Sequence, residues 1–155
     1  MNTETSITIR APKEVIFESA ADLSRWPAVL PHYRYITYIE RGTTRHIVKM
    51  AAHRTGIPIA WTSEQTIDRE NLEIRFLHLR AFTKGMAVVW KFEDTPDGTL
   101  VRIIHVMKFR VPALAPIADR IIGEFFIDHI ARKTLATFKT HLEGRTPSAL
   151  TTTLA

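Results

Sequence analysis

The strongest constraint on the fold is the stretch from Tyr33 to Val111, in which apolar and polar residues alternate with a period of two. Five turn signals interrupt it, namely Arg41-Gly42, Arg54-Thr55-Gly56, Arg69-Glu70-Asn71, Thr83-Lys84-Gly85 and Pro96-Asp97-Gly98. Five interruptions separate six strands. Because consecutive strands joined by short turns pair most simply with their neighbours, the pattern predicts an antiparallel meander.

The segments on either side of this stretch predict a further strand and several helices. Ser6 to Arg10 alternates like a short strand that joins the sheet at an edge, and Ala11-Pro12 then leads into a helix. A second short helix is predicted over Asp22 to Leu30, broken at Pro27. After Pro112 the period becomes helical as far as about Glu143, with one apolar stripe formed by Ile117, Ile121, Phe125, Ala131, Leu135, Phe138 and Leu142.

This order of elements predicts an α+β fold in which a curved antiparallel sheet of about seven strands wraps around one long C-terminal helix. A curved sheet that grips a helix encloses an internal hydrophobic cavity. We expect a single domain over residues 1–144, because Gly144 ends the helical pattern, and a mobile tail over residues 145–155.

Composition narrows the cellular setting and the chemistry. The 155 residues contain no apolar run near the roughly 20 that a membrane helix needs, and the polar first residues lack a signal-peptide pattern. The chain has no cysteine, which excludes disulfides, thiolate nucleophiles and cysteine zinc sites and favours the cytoplasm. Seven histidines lack the spacing of a metal site, and we find no G-x-S-x-G, P-loop or glycine-rich dinucleotide motif.

The formal net charge of +5 raises the question of a nucleic-acid partner. Lys and Arg are spread from Arg10 to Arg145 with acids between them, and the one adjacent basic pair is Arg132-Lys133. Such a distribution does not predict a phosphate-tracking stripe. The charge therefore keeps the surface solvated or serves a partner with an acidic surface.

The strand faces indicate what the cavity holds. Three rows are predicted to point inward, namely Ile59, Trp61, Ser63, Gln65 and Ile67; Met86, Val88, Trp90 and Phe92; and Val101, Ile103, His105, Met107, Phe109 and Val111. His105 is the titratable group on the last row. It is either a hydrogen-bonded core residue or a group that acts on a ligand.

Two further polar residues have alternative interpretations. Asp128 lies near the centre of the apolar stripe, so it either pairs with Arg132 or His129 or points into a wet pocket and binds ligand. Phe76, His78 and Arg80 alternate on one face, so Arg80 either reaches the cavity mouth or is exposed at a strand end.

Several segments together resemble the START-like, helix-grip (SRPBCC) superfamily. They are Ile7 to Val15, DLSRWPAVLPHYR around Trp26-Pro27, the WTSEQ strand at Trp61, Trp90, and the final helix. Within the superfamily they look most like the single-domain aromatase/cyclases of bacterial aromatic polyketide synthesis. The resemblance covers essentially the whole chain and is most specific at Trp26-Pro27, followed by an aromatic residue at Tyr33.

The resemblance implies an enzyme that folds a poly-β-ketone in its cavity and promotes aldol cyclisation and dehydration, without a metal, a cofactor or a covalent intermediate. The chain would arrive on an acidic acyl carrier protein, to which a positively charged protein is suited. The protein would be a monomer or homodimer. The alternative is a non-catalytic lipid or quinone carrier of the same superfamily.

The resemblance also implies roles for individual residues. Tyr33 matches a proton-donating tyrosine, His105 a pocket histidine and Asp128 a polar helix residue that faces the ligand. The family's arginine on the Trp61 strand falls on Gln65, which donates a hydrogen bond but carries no charge, so Arg80 is considered as a substitute. The predicted ligand contacts are Trp26, Tyr35, Trp61, Ser63, His78, Arg80, Trp90, Met107 and Phe125.

Overall fold

The fold was determined as a computed structural model that describes residues 1–108 and 112–145. Its strands are β1 (Asn2–Ile9), β2 (Tyr33–Arg41), β3 (Arg45–Arg54), β4 (Ile57–Asp68), β5 (Glu73–His78), β6 (Ala87–Thr95) and β7 (Gly98–Val106). Its helices are α1 (Lys13–Ala21), α2 (Trp26–Val29), α3 (Ala115–Ala118) and α4 (His129–Arg145). Short 3₁₀ turns cover Leu23–Arg25 and Pro112–Leu114, and a π-helix covers Asp119–Asp128.

All seven strands form one antiparallel sheet in the order β1-β7-β6-β5-β4-β3-β2, which confirms the predicted meander with the first strand at an edge. Thr55 and Gly56, both with positive φ, form a two-residue turn between β3 and β4, as a tight hairpin requires. The N-terminal strand begins at Asn2, earlier than predicted, because its residues pair continuously from Asn2 with Val106 to Ile9 with Thr99.

The antiparallel order places every second turn at the same end of the sheet. We define the open end as the end that holds the β3–β4 turn, the β5–β6 loop, and the start of β1 and of β2. Helix α4 begins at this end, because Thr5 Oγ1 donates to Asp128 beside the helix start, whereas Lys139 Nζ donates to the Thr8 carbonyl farther along both elements. The helix thus runs parallel to β1, and its first turns lie at the open end.

The core lies between the concave face of the sheet and the helices. The three predicted inward rows are buried or half-buried throughout their described members; Phe109 and Val111 lie outside the described residues. Helix α1 begins after Pro12 and buries Ile16, Phe17 and Ala20. The predicted second helix is divided beside Pro27 into a 3₁₀ turn over Leu23–Arg25 and α2. Pro27 occupies the first turn of α2, where its missing N–H leaves no hydrogen bond unmade.

The C-terminal helical region corrects the predicted stripe. Leu135 is 1% exposed, but Ile117 and Ile121 are 61% and 51% exposed. The reason is the π-helix, whose i→i+5 hydrogen bonds take more residues per turn than the 3.6 of an α-helix. Residues inside it, such as Ile121, and residues before it, such as Ile117, are therefore rotated away from the α4 stripe. The side chain of Phe125 in this segment lies outside the described residues.

The predicted domain end at Gly144 falls inside α4, which is described as far as Arg145. The rest of the predicted tail lies outside the described residues. Within the part of the chain that the structure covers, no helix is long and apolar enough to cross a membrane.

The π-helix register makes a prediction about stability. Leu135→Ala should lower the free energy of unfolding by about 2–5 kcal/mol, because it leaves a cavity in the core. Ile117→Ala, the matched control, should change it by less than about 0.5 kcal/mol, since that side chain is exposed. Urea denaturation followed by circular dichroism measures both. Equal losses of unfolding free energy for the two variants would show that Ile117 packs in the core, as a single α-helical stripe predicts.

Candidate functional site

A cavity of about 90 Å³ lies between the concave face of the sheet and the helical segment from Phe126 to Thr134. Strands β3 to β7 supply one wall, and α2 together with the start of β2 closes the side. The β5–β6 loop contributes Phe82 and Thr83 at the open end. The cavity is therefore the internal hollow that a sheet gripping a helix leaves.

All three tryptophans of the chain, Trp26, Trp61 and Trp90, line this cavity. Trp61 and Trp90 reach it because each stands at an inward position of its strand. Trp26 comes from α2, and its ring lies 5.7 Å from that of Trp90 and 5.1 Å from that of Tyr33. The wall is thus mostly aromatic, which suits a flat or conjugated apolar ligand.

His78 is the last residue of β5 and faces the cavity. Its Nδ1 lies 2.7 Å from Thr83 Oγ1, and its ring stacks on Trp61 with centroids 5.7 Å apart and planes within 3°. Burial lowers the pKa of His78 to about 3, and His105 lowers it further as a like charge. The imidazole is therefore neutral near pH 7.

His105 faces the cavity from β7, where it pairs with Val88 of the neighbouring strand β6. Burial lowers the pKa of His105 to about 4, and the Asp128 carboxylate offsets part of that shift. Its Nδ1 is buried and forms no hydrogen bond with any residue that the structure describes. Such a nitrogen is available to a ligand, because a buried polar atom without a partner costs free energy.

A second polar group stands where α4 meets β2. Tyr33 and Thr134 both line the cavity, and His32 Nε2 lies 2.8 Å from Thr134 Oγ1. Burial raises the pKa of Tyr33 above its usual range, although a hydrogen bond with Thr134 opposes the shift. The phenol is thus a hydrogen-bond donor that keeps its proton.

The structure brings six of the predicted residues to the cavity, namely Trp26, Tyr33, Trp61, His78, Trp90 and His105. Ser63, Gln65 and Met107 are buried outside its lining. Gln65 is fully buried, and its Nε2 donates to the Ala21 carbonyl at 3.1 Å. At the position where the resemblance implies an arginine, this chain therefore has a residue that secures the end of α1.

Asp128 adopts the structural alternative of the two that the sequence left open. Its carboxylate accepts a hydrogen bond from Arg132 at 2.7 Å and another from Thr5 at 3.2 Å. The residue is half-buried beside β1 and does not belong to the cavity lining.

Two predicted ligand contacts lie away from the cavity. Tyr35 is exposed, because a β-bulge between Tyr33 and Tyr35 shifts the register and turns the next side chains over. Arg80 is exposed, because β5 ends at His78 and the alternation that placed Arg80 on the inner face stops there. Arg80 therefore does not replace the missing arginine.

Sequence reasoning missed several cavity residues. Thr134 lies between Ala131 and Phe138 at helical spacing, so the stripe itself was a signal that it is buried. Met50 alternates with Val48 and Ala52 on the inner face of β3, and period two would have found it. Phe82 and Thr83 stand on a loop, where periodicity gives no signal.

The wall contains no Lys, Arg, Asp or Glu among the described residues. Its polar atoms are imidazoles, hydroxyls and indole nitrogens. In the same part of the chain, no group of three or more histidine, aspartate and glutamate residues could hold a metal ion. The site can hold an apolar molecule, donate hydrogen bonds to its oxygens, and accept or return protons at histidine.

The buried neutral histidines make stability depend on pH. The pKa of His105 is lowered from its unfolded value of 6.5 to about 4, so the unfolded state binds more protons as pH falls between these values. Stability should therefore fall on acidification through this window. His105→Gln should reduce the loss of unfolding free energy between pH 7 and pH 5 by about 2 kcal/mol, as measured by urea denaturation.

The control for this measurement is Ile103→Val, a substitution in the same inward row. It should lower stability at both pH values by the same amount, about 1 kcal/mol, because it removes a buried methylene and no titrating group. A pH dependence in His105→Gln equal to that of the unsubstituted protein would show that His105 is not held neutral by burial.

Comparison with known proteins identifies this architecture. A protein of Streptomyces cyaneus that is named as a polyketide cyclase is 32% identical over 121 residues, which cover 76% of this chain and 78% of that protein. The crystal structure of the Zhui aromatase/cyclase from Streptomyces sp. R1128 matches with a TM-score of 0.79 and 18% identity, covering 96% of this chain and 97% of that one. A START superfamily protein from Mycobacterium smegmatis matches with a TM-score of 0.68 and 14% identity, covering 90% of this chain and 98% of that one.

The two structural matches establish the fold, since their sequence identities are low. The family model described as "Polyketide cyclase / dehydrase and lipid transport" matches residues 1–143, nearly the whole chain. The chain therefore belongs to the polyketide cyclase/dehydrase and lipid transport family.

Proposed function

We propose that this protein is a cyclase/dehydratase that binds a poly-β-ketone in its cavity and promotes aldol ring closure and loss of water. The observation that carries the proposal is the combination of Trp26, Trp61 and Trp90 with neutral His105 and protonated Tyr33 around one uncharged cavity. The family and the named relative support the same activity.

Ring closure needs a carbon nucleophile and a polarised carbonyl. A base removes a proton from a carbon between two carbonyl groups, and the resulting enolate carbon attacks a carbonyl carbon of the same chain. One C–C bond forms, and the carbonyl oxygen becomes a hydroxyl by taking up a proton. Loss of that hydroxyl and a neighbouring proton releases one water. The enzyme must supply a base, a proton donor and a fixed chain conformation.

His105 is suited to the proton transfers, because its neutral imidazole can accept the first carbon proton and return it to the new alkoxide. It can then accept the neighbouring carbon proton and return that one to the departing hydroxyl. A low pKa makes it a weak base in isolation. The imidazolium forms beside an enolate in a poorly hydrated cavity, however, where opposite charges attract strongly. Tyr33 donates a hydrogen bond to the acceptor carbonyl or the enolate oxygen, and Thr134 orients the phenol.

An acidic acyl carrier protein is the proposed source of the chain, since the protein is positively charged. The cytoplasmic location, the predicted tail, and the choice between monomer and homodimer stay predictions. The catalytic roles first given to Gln65 and Asp128 are not part of this proposal, because both side chains are held by structural hydrogen bonds.

We expect His105→Gln to lower the rate of aromatic product formation from a poly-β-ketone thioester by about 10²–10⁴-fold, the usual contribution of a general acid–base group. His46→Gln is the matched control, because His46 is equally buried (8% exposed, as is His105) but lies outside the cavity lining. It should keep the activity. Product is measured by liquid chromatography and mass spectrometry.

The rival function is non-catalytic carriage of a lipid or quinone, which the uncharged wall would also permit. Quenching of tryptophan fluorescence separates the two, since every tryptophan lines the cavity. A polycyclic aromatic polyketide should quench in a saturable manner and better than a quinone or a fatty acid. Tighter binding of quinone or fatty acid, with no product formed, would indicate that the protein is a carrier and not a cyclase.

The size of the cavity requires the wall to move when a ligand of several rings enters. Its volume of about 90 Å³ is below the roughly 300–1,000 Å³ of drug-sized ligand pockets. At the open end Phe82, which is 48% exposed, contacts Phe126 of the π-helix with ring centroids 6.3 Å apart. Separation of these two rings opens the cavity toward solvent.

Phe82→Ala should therefore accelerate association of an aromatic polyketide severalfold in stopped-flow quenching. Leu77→Ala, which also removes a half-exposed apolar side chain but lies on the outer face of β5, is its control. An association rate that is unchanged in Phe82→Ala would place the entrance elsewhere.

A further inference from the structure

His78 and Thr83 form a hydrogen-bonded pair in the cavity wall. His78 ends β5, and Thr83 stands on the β5–β6 loop, where it is 5% exposed between the exposed residues Phe82 and Lys84. Both members of the pair line the cavity, and His78 Nδ1 lies 2.7 Å from Thr83 Oγ1. The loop therefore turns one hydroxyl inward, onto the imidazole.

Backbone hydrogen bonds hold Thr83 in this position. His78 N donates to the Met86 carbonyl at 2.9 Å, and Gly85 N donates to the His78 carbonyl at 2.8 Å. Met86 N in turn donates to the Thr83 carbonyl at 3.0 Å. Gly85 has a φ of +90°, a left-handed conformation that glycine adopts without strain. The position of Thr83 is thus set by the residues at the ends of the two strands.

The His78 ring is fixed both in its plane and in its rotation. It stacks on the Trp61 indole with the planes 3° apart, and the bond to Thr83 determines which nitrogen faces the loop. Its Nε2 forms no hydrogen bond with any described residue, so this nitrogen is left for a ligand in the cavity. The Trp61 ring also stabilises a positive charge on the imidazole by a cation–π interaction.

A threonine hydroxyl suits a histidine that exchanges protons, because it can both donate and accept a hydrogen bond. It accepts from Nδ1–H while Nε2 is an unprotonated base, and the same bond persists after Nε2 has taken up a proton. Thr83 therefore supports both protonation states of His78 without placing a charge in the apolar wall.

His78 and His105 face the cavity from different positions. Phe76 pairs with Val88, and Val88 pairs with His105. His78, two residues beyond Phe76, is thus two strands away from His105 and one inward row nearer the open end. Strand and residue spacings put their Cα atoms roughly 10–12 Å apart. Two side chains at this spacing can approach one ring of a bound ligand from two directions.

The two steps of the proposed reaction remove protons that point in different directions. Ring closure changes the attacking carbon from planar to tetrahedral, so the hydrogen that dehydration removes from it no longer points where the first one did. A general base must lie within hydrogen-bond reach of the proton that it takes. Because His105 is fixed in β7, a base at a second position is better placed for the second step.

We propose that His78 carries out the proton transfers of dehydration and that Thr83 is its positioning residue. This inference rests on the proposed function and assigns the loss of water to His78 instead of His105. Nε2 of His78 takes the remaining proton of the attacking carbon, and the electron pair of that C–H bond becomes the new C=C bond as the C–O bond breaks. His78 gives the same proton to the departing hydroxyl, so one water leaves and the imidazole is neutral again.

The test separates the two steps by their products from the poly-β-ketone thioester. His105→Gln should leave linear substrate, whereas His78→Gln should slow the loss of water by about 10²-fold or more and accumulate a cyclised hydroxy ketone. That intermediate has the mass of the substrate but a different chromatographic retention, and the product is lighter by one water. His46→Gln is again the control and should accumulate neither species. Aromatic product formed by His78→Gln at the unsubstituted rate would overturn this inference and leave the cyclase intact.

Thr83→Val keeps the branched side chain and removes its hydroxyl. It should slow the loss of water about three- to tenfold, the worth of one hydrogen bond, and Thr83→Ser should restore the rate because serine keeps the hydroxyl. Thr99→Val is the matched control, since it removes a buried hydroxyl that donates to the Ala11 carbonyl outside the cavity lining. An unchanged ratio of hydroxy ketone to aromatic product in Thr83→Val would refute the positioning role.

A β-hydroxytetralone tests His78 without ring closure, because it is already cyclised and loses water to give a fluorescent naphthol. The unsubstituted protein should accelerate this reaction, and His78→Gln should lose more of the acceleration than His105→Gln. Thr83→Val, which retains the histidine, provides the same test if His78→Gln does not fold. Acceleration that persists in both variants would overturn the inference alone. A protein that neither dehydrates the tetralone nor cyclises the poly-β-ketone would overturn the proposed function as well.

Discussion

The packing of Trp26 joins the helices of this protein to its sheet. The indole is 2% exposed and contacts the rings of Tyr33, Phe76, Trp90 and Phe138, which come from β2, β5, β6 and α4. Helix α2 has four residues, too few to be stable alone, so it is held by this packing. The same ring forms part of the cavity wall. Closure of the fold and construction of the site thus depend on one side chain.

The polar side chains that line the cavity, among the described residues, are uncharged near neutral pH. His78 and His105 are neutral because burial penalises the imidazolium, and Tyr33 keeps its proton because burial penalises the phenolate. These groups donate and accept hydrogen bonds without attracting the water that a buried ion would need. The cost is a native state that weakens on acidification, which is acceptable for a site that orients a reactive apolar chain.

The sequence was sufficient to predict the sheet, but not the residues at which the regular pairing of its strands is interrupted or ends. Period two identified the inward rows, because strict alternation follows from strand geometry whatever the neighbours are. Tyr35 was misplaced by a β-bulge, and Arg80 by the end of β5 two residues before it. Both depend on pairing with another strand, which a single sequence does not display.

Helical periodicity failed for a related reason. It placed Leu135 correctly but not Ile117, because a π-helix between them changes the number of residues per turn. This failure affected the prediction of the site less than that of the fold, because alternation and resemblance correctly placed Trp26, Trp61 and Trp90 at the cavity. Phe82 and Thr83 were not predicted, since they stand on a loop whose path is set by the strands that it joins.

Charge shows most clearly what folding adds to sequence order. Along the chain, Lys and Arg are interspersed with acids, and this argued against a stripe of cations that follows a phosphate backbone. An antiparallel meander, however, sends successive turns to opposite ends of the sheet. The turns after β4 and β6 carry Glu70 and Asp97, and Arg69 stands beside Glu70, whereas the loop after β5 carries Arg80 and Lys84 and no acid. The fold therefore regroups these charges: the loop that reaches the cavity carries cations and no acid, whereas both signs of charge meet and pair at the opposite end of the sheet.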